Sequence, residues 1–339
     1  MAIRALVTEP GVPGSTRVER IDTQDGDVLV RPLEVGVCGT DREIAHGLFG
    51  IPPQDGEPLV LGHELLGVVA KPGGGFAEGD LVTAIVRRSC GRCIACNDGA
   101  PDSCLTGDYS ERGITRLNGF ACDLVAEDPS QLIPVPKSLG RLGVLAEPTS
   151  ICERALRHAR TIGGRQPWSL QRALVLGAGA IGTLTTLLLR QQNVETWVTS
   201  LEANAPLVEA AGAHYVPVGA LSELGRFDLV VECAGNAQLM ADALSLLRRG
   251  GVACLLGIDG REQRVQLDGR VLGVDVVLEN RVLFGSVNAH RQDWLAGVDA
   301  LARMDPELLR ALIGLRVPLE EFEQAFAHRG GKATLVIDG

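Results

Sequence analysis

Three things are scarce in this chain of 339 residues, and each scarcity removes a class of function. Positive charge is outweighed: 32 Lys and Arg face 42 Asp and Glu, for a formal charge of -10 and a pI near 5.2. Such a chain repels phosphate backbones and anionic lipid, so neither nucleic acid nor a membrane surface is expected as its partner. Long apolar runs are missing too. The longest, Ala180 to Leu189, is broken by Thr183, Thr185 and Thr186 and falls well short of the ~20 residues that span a bilayer. An apolar leader is the third: Arg4 and Glu9 interrupt the stretch where a secretory signal would be uniform. The expectation is a cytoplasmic chain acting on a small molecule, without internal repeats or low-complexity tracts.

What is present is cysteine, unevenly. Four of nine fall between Cys90 and Cys104 and the others are scattered; an odd count so clustered fits metal binding in a reducing compartment better than a disulfide framework. Cys122, Cys152, Cys233 and Cys254 read as packing residues, and His46, His158, His214, His290 and His328 receive no role.

With 45% apolar residues the chain can bury more than one core. Residues 1–150 are rich in glycine and proline, with short β-branched runs at Val28–Val30, Leu66–Val69 and Leu81–Val86, and read as a β-rich domain. The texture changes after Pro148. A helix over Ile151–Ile162 leads into strands at Ala173–Leu176, Val194–Thr199, Phe227–Glu232, Val252–Leu256 and Val282–Val287, alternating with helices at Ile181–Gln191, Pro206–Ala211 and Ala237–Leu247. This is an α/β pattern for a doubly wound parallel sheet over residues 151–288. The final segment, 289–339, with helices at Trp294–Arg303, Glu307–Ile313 and Leu319–His328 and a strand at Ala333–Ile337, is expected to rejoin the first domain.

Leu174-Val-Leu-Gly177-Ala-Gly179-Ala-Ile-Gly182 runs from an apolar strand through GxGxxG into a helix. Gly177 permits the tight turn, Gly179 the close approach of pyrophosphate, and Gly182 the packing of helix on strand. Phosphates would meet the helix start at Ala180 and Ile181. An acid should follow by about 20 to 25 residues to bind the adenosine ribose, and Glu202 fills this place. A carboxylate there favours NAD over NADP, and no arginine lies between Arg190 and Arg226. Thr199 and Ser200 are an alternative phosphate contact.

Cys90-Gly-Arg-Cys93-Ile-Ala-Cys96, followed by Cys104, can close a tetrahedron around zinc with bonds of about 2.3 Å and no open position, which is the design of a structural site. Together with Gly36-Val-Cys38-Gly-Thr40-Asp41 and Gly62-His63-Glu64, ahead of a GxGxxG domain, this lobe resembles the zinc-dependent medium-chain alcohol dehydrogenases over nearly the whole chain. The resemblance implies a GroES-like catalytic domain joined to a Rossmann domain, a catalytic zinc on Cys38 and His63, and a homo-oligomer, dimeric or tetrameric. Two acids compete for the third ligand position, Glu64 and Glu147, directly or through water.

Further stretches are similar to the glucose and aldose 1-dehydrogenase branch: Cys38–Glu43, Leu59–Glu64, Arg87-Arg88, Glu111-Arg-Gly-Ile114, Asn118-Gly-Phe120, Leu145-Ala-Glu147-Pro148 and Gly285-Ser-Val-Asn288. That similarity implies that Thr40, Glu111, Glu147 and Asn288 surround a sugar, and that Leu256, Gly257, Ile258, Ser286, Val287 and Asn288 meet the cofactor. It implies hydride transfer from C1 of a cyclic aldose to a nicotinamide, giving an aldonolactone, with Thr40 relaying the proton and Glu64 and Glu147 also in the catalytic set. Two departures are visible: Val86 replaces an asparagine found in some relatives, and Leu201-Glu202 replaces the adjacent arginines of relatives that use NADP. The rival readings are a polyol or alcohol dehydrogenase and a non-catalytic zinc- and nucleotide-binding protein.

Overall fold

The computed structural model describes residues 2–22, 25–54, 56–261 and 263–337. Met1 and Gly339, the outer limits of the expected domains, lie outside them. The chain divides into two compact units, one of residues up to Ser150 together with those from Asn288 onward, the other Ile151–Val287.

The first unit is built on a sheet whose long central strand, Val28–Val37, pairs antiparallel with Glu64–Lys71 on one side and Lys332–Val336 on the other. Alternate residues of these strands fill the core, with Val28, Val30, Val35, Leu65, Val69, Ala333 and Leu335 all buried. Ile313–Pro318 adds a parallel partner to Lys332–Val336, so the C-terminal segment completes the sheet that the N-terminal residues begin. Smaller sheets are formed by Ala2–Thr8 with its neighbours and by Arg87–Arg88 with Ser110–Arg112 and Arg116–Leu117.

In the second unit six parallel strands lie in the order His214–Pro217, Glu195–Ser200, Arg172–Leu176, Phe227–Glu232, Leu247–Leu255, Val282–Gly285. The order reverses at Arg172–Leu176, which puts the ligand crevice of such a sheet at the carboxyl end of that strand. The central strand Phe227–Glu232 is buried at every position, as expected of a strand covered on both faces. The helix Ala180–Gln191 buries all residues from Gly182 to Leu189. Two of its three threonines bond within the turn, Thr186 Oγ1 donating to Gly182 O at 2.8 Å and Thr183 Oγ1 to Ala178 O at 3.2 Å.

Several boundaries differ from those expected. The helix assigned to Ile151–Ile162 begins at Ala146 and ends at Gly163. The one assigned to Ala237–Leu247 is α-helical only over Ala237–Asp242, then tightens to a 3-10 turn and gives way to a strand at Leu247, where Leu247 pairs with Phe227. The helix over Glu307–Ile313 ends at Leu312, because Ile313 joins the sheet, and Leu319–His328 divides into a short 3-10 turn and the helix Phe322–Ala327. Among the described residues no helix is long and apolar enough to cross a membrane.

Candidate functional site

Strand register assembles the first cluster. Gly36 pairs with Glu64, and Val37 with Ala333, so the end of one strand (Cys38), the start of the second (Glu64) and the start of the third (Lys332) meet at one edge. The approach is close enough to favour glycine at 36: a Cβ there would stand 2.9 Å from Glu64 Cβ as well as 2.0 Å from its Oε2. Cys38 caps the helix Gly39–Ala45, its Sγ accepting from Thr40 N at 3.2 Å, while Asp41 accepts from Cys38 N at 2.9 Å. Asp41 also faces His63: its Oδ1 lies 3.4 Å from Nδ1, leaving Nε2 3.1 Å from Cys38 Sγ. Glu147 enters from the first turn of the helix that starts at Ala146.

Ligand atoms of His63, Glu64 and Glu147 lie within 4.8 Å of one another, as do those of Cys38, Asp41 and His63. His63, Glu64 and Glu147 are all buried, at 5%, 1% and 7% exposure. Asp41 Oδ1, His63 Nδ1 and Glu64 Oε2 are buried without a hydrogen-bond partner. Burial, reinforced by the negative charge of Glu64, pushes the Glu147 carboxyl up to about 7. Burial works against the charged form of His63, but Cys38 and Asp41 override it and raise the imidazole well above its usual value. The counter-charge of Glu64 is Lys332, whose Nζ donates to Oε1 at 2.6 Å with both side chains nearly inaccessible. Lys332 is one of three lysines in the chain and belongs to none of the motifs.

The second cluster is the lobe that includes the short helix Ile94–Asn97 and the turn Pro101–Ser103. The four sulfurs of Cys90, Cys93, Cys96 and Cys104 lie within 4.8 Å of one another, with Cys93 and Cys96 3.4 Å apart. Hydrogen bonding from Thr106 brings the Cys90 thiol down to about 7, whereas desolvation pushes Cys96 up to about 12. Of the cysteines expected to pack, Cys122, Cys152 and Cys254 are buried and Cys233 is half-buried.

The polar residues expected around a sugar all lie in the first unit. Thr40 is half-buried next to Cys38 and Asn288 is 8% exposed. Glu111 Oε1 accepts from Arg87 Nε at 2.9 Å, so Arg87, in the sequence one member of a paired-arginine motif, stands behind it as a positive partner. Val86 is buried.

In the second unit the glycine motif has the shape its sequence implies. Gly177 adopts φ +114°, and a Cβ on Gly182 would stand 1.9 Å from Gly177 O, whereas one on Gly179 would meet nothing within 4 Å. The helix therefore packs against the turn at Gly182 and leaves an open face at Gly179, with no side chain capping its first amides next to Ala180 and Ile181. Leu256, Gly257 and Ile258 follow the strand Leu247–Leu255, and Ser286 and Val287 follow Val282–Gly285, so these residues share the carboxyl edge of the sheet. Ser286 donates its backbone N–H to Leu255 O at 3.0 Å. Glu202 is exposed just beyond the strand Glu195–Ser200, with a carboxyl held below its usual value by hydrogen bonding from Ser200.

A β-rich unit with two ligand clusters and a separate six-stranded dinucleotide-type sheet define the class of the medium-chain dehydrogenases. Residues 24–137 match the alcohol dehydrogenase GroES-like domain family and residues 140–338 the glucose dehydrogenase C-terminus family. The chain is 39% identical to glucose 1-dehydrogenase of Methanocella arvoryzae, covering 95% of each chain, and 36% identical to glucose 1-dehydrogenase of Thermoproteus tenax, covering 96% of each. Among solved structures it is similar to Haloferax mediterranei glucose dehydrogenase in complex with NADP, Zn and gluconolactone, with a TM-score of 0.90, 29% identity and 99% of both chains covered. The chain belongs to the glucose dehydrogenase family. The family and fold read from the motifs are thereby borne out.

Proposed function

We propose that this protein oxidises C1 of a cyclic aldose, glucose first among them, to the aldonolactone with a nicotinamide cofactor and zinc. The observation that carries the reading is a pair of ligand groups that share His63, one of half-buried Cys38 with buried Asp41 and the other of buried Glu64 and Glu147, in the same unit as the polar groups of Thr40, Glu111 and Asn288. The donor set fits zinc: a thiolate, an imidazole and carboxylates, with ligand-capable oxygen on Glu64 buried and unpartnered. Lys332 offsets one of the negative groups here, and a metal cation would offset the desolvation of the others.

Cys38, His63 and Glu147 would hold the catalytic ion, with Asp41 orienting the imidazole from behind. Glu64, half committed to Lys332, would approach through water. Cys90, Cys93, Cys96 and Cys104 would hold the structural ion, and a reducing compartment, the cytoplasm, suits their thiols. The glycine turn fits a pyrophosphate, because a Cβ at Gly179 would meet nothing within 4 Å, whereas one at Gly177 or Gly182 would meet backbone. When bound, zinc supplies a Lewis acid for the C1 hydroxyl and the nicotinamide supplies the acceptor for the C1 hydride. The hydroxyl of Thr40 donates and accepts at once, so it moves the released proton away from the sugar. Glu111 and Asn288 satisfy ring hydroxyls that would otherwise be buried unpaired.

NAD is the proposed cofactor in preference to NADP, on the carboxylate of Glu202 and the lack of arginine between Arg190 and Arg226 in the sequence; the Haloferax relative, in contrast, holds NADP. A homo-oligomer, dimer or tetramer, is supported by the strand Val282–Gly285. Among the described residues it pairs on one side only, and Leu283, Val277 and Leu278 are exposed around it. Leu283→Glu should shift the mass found by light scattering to that of a smaller species.

The test of the reaction is isotopic. With glucose deuterated at C1, one deuterium per turnover should appear in the reduced nicotinamide and the sugar should leave as lactone. Reduced cofactor free of deuterium would refute C1 as the hydride source.

A further inference from the structure

The four-cysteine lobe presents two backbone carbonyls to residues outside it. Asp102 O, in the turn just before Cys104, accepts from Arg87 Nη1 at 3.2 Å and from Asn288 Nδ2 at 3.3 Å. Arg87 passes the constraint on, because its Nε donates to Glu111 and its guanidinium lies 4.0 Å over the Tyr109 ring. Gly99 O lies 3.0 Å from His290 Nε2. The other ring nitrogen, Nδ1, accepts from Gln292 N at 3.2 Å, which leaves Nε2 as the protonated donor toward Gly99. Arg87, Asp102 and Asn288 are each less than a tenth exposed, so the shared carbonyl is a dry contact in which a lost bond leaves a buried polar group unpaired. Asn288 has φ +67°, in the left-handed region that asparagine enters more readily than other non-glycine residues.

We propose that the four-cysteine lobe is a positioning element of the sugar site, its closure around a metal fixing Glu111 through Arg87 and fixing Asn288 directly, both from the carbonyl of Asp102. Sugar as the ligand rests on the function proposed above; the mechanical link does not. The cluster of Cys38, His63 and Glu147 draws no ligand from the lobe, so opening the lobe weakens sugar binding and leaves that cluster intact. Arg87 and His290 are positioning residues in this account.

The test uses Cys104→Ser and, with the lobe metal retained, Arg87→Ala and His290→Ala. Zinc per chain, hydrogen exchange without sugar, and the steady-state constants are measured for each. In Cys104→Ser, zinc should fall from two ions to one, and exchange should quicken in peptides covering 286–292 and 109–113. The sugar KM should rise about tenfold or more while kcat falls by less. Arg87→Ala and His290→Ala should keep two ions; Arg87→Ala should raise the sugar KM, and His290→Ala should quicken exchange at 286–292. A Cys104→Ser protein with one zinc and unchanged exchange and KM overturns the proposal. If Cys104→Ser does not fold, the two alanine variants decide, and wild-type KM and exchange in both overturn it. Were no sugar oxidised at all, exchange would still decide the link, separating its failure from that of the functional reading.

Discussion

Gly182→Ala and Gly179→Ala, two changes of one methyl group three residues apart, should have opposite signatures. At Gly182 the added Cβ would lie 1.9 Å from Gly177 O and 2.9 Å from Gly177 C, both backbone atoms that cannot rotate away. Since real Cβ atoms do not approach closer than 3.0 Å, the start of the helix Ala180–Gln191 must retreat by about 1 Å from the turn. Overpacking of this kind costs about 1–3 kcal/mol of stability. The retreat also misplaces amides meant for a phosphate. Each charge-assisted bond lost is worth roughly 1.5–3 kcal/mol, so cofactor Kd should rise roughly 10- to 150-fold. At Gly179 a Cβ meets nothing, so stability should hold within about 0.5 kcal/mol, yet the methyl occupies the face left for pyrophosphate and Kd should rise alone. Urea unfolding and titration calorimetry with NAD and NADH check both numbers. Unchanged cofactor affinity in Gly179→Ala, or unchanged affinity and stability in Gly182→Ala, would refute the assignment of this turn as the cofactor cradle.

Other consequences follow from single groups. Glu147→Ala should lower bound zinc from two ions to one by elemental analysis and cut turnover at least about a hundredfold, since a ligand rather than an orienting group is lost. Lys332→Met strands the Glu64 carboxylate in a buried site and should cost about 3–5 kcal/mol in urea unfolding of the zinc-free protein, whereas Glu64→Leu/Lys332→Met should recover most of it. Glu202→Ser removes the charge proposed to repel a 2′-phosphate, and the ratio of kcat/KM for NAD to that for NADP should fall about tenfold or more. Thr40→Val should lower kcat with zinc content unchanged; an unaltered kcat would remove Thr40 from the proton path.

The features legible in the sequence are those the chain encodes locally. The glycine turn, the strands at 173–176 and 227–232 and the four-cysteine spacing each occupy a short window with its own physical signature. Boundaries failed where pairing across the sheet overrode local preference. Leu247 and Ile313 read as the ends of helices, yet each pairs with a distant strand and begins one of its own. His214–Pro217, a short edge strand, has no alternation to reveal it. The site divides in the same way. Cys38, His63 and Glu64 lie in recognisable motifs, but the partner of Glu64 stands 268 residues away, and nothing near Lys332 in the sequence marks it as buried. Arg87 lies in a recognisable motif, while its contacts to Glu111 and Asp102 are products of the fold.

The central claim, oxidation of an aldose at C1, is tested most directly by initial rates with glucose, xylose and galactose, each with NAD and with NADP, beside a polyol and a simple alcohol. The account predicts reduced cofactor and aldonolactone in equal amounts from at least one aldose, and much slower turnover of the polyol and the alcohol. Turnover confined to the polyol or the alcohol, or absent from a preparation holding two zinc ions per chain, would contradict it.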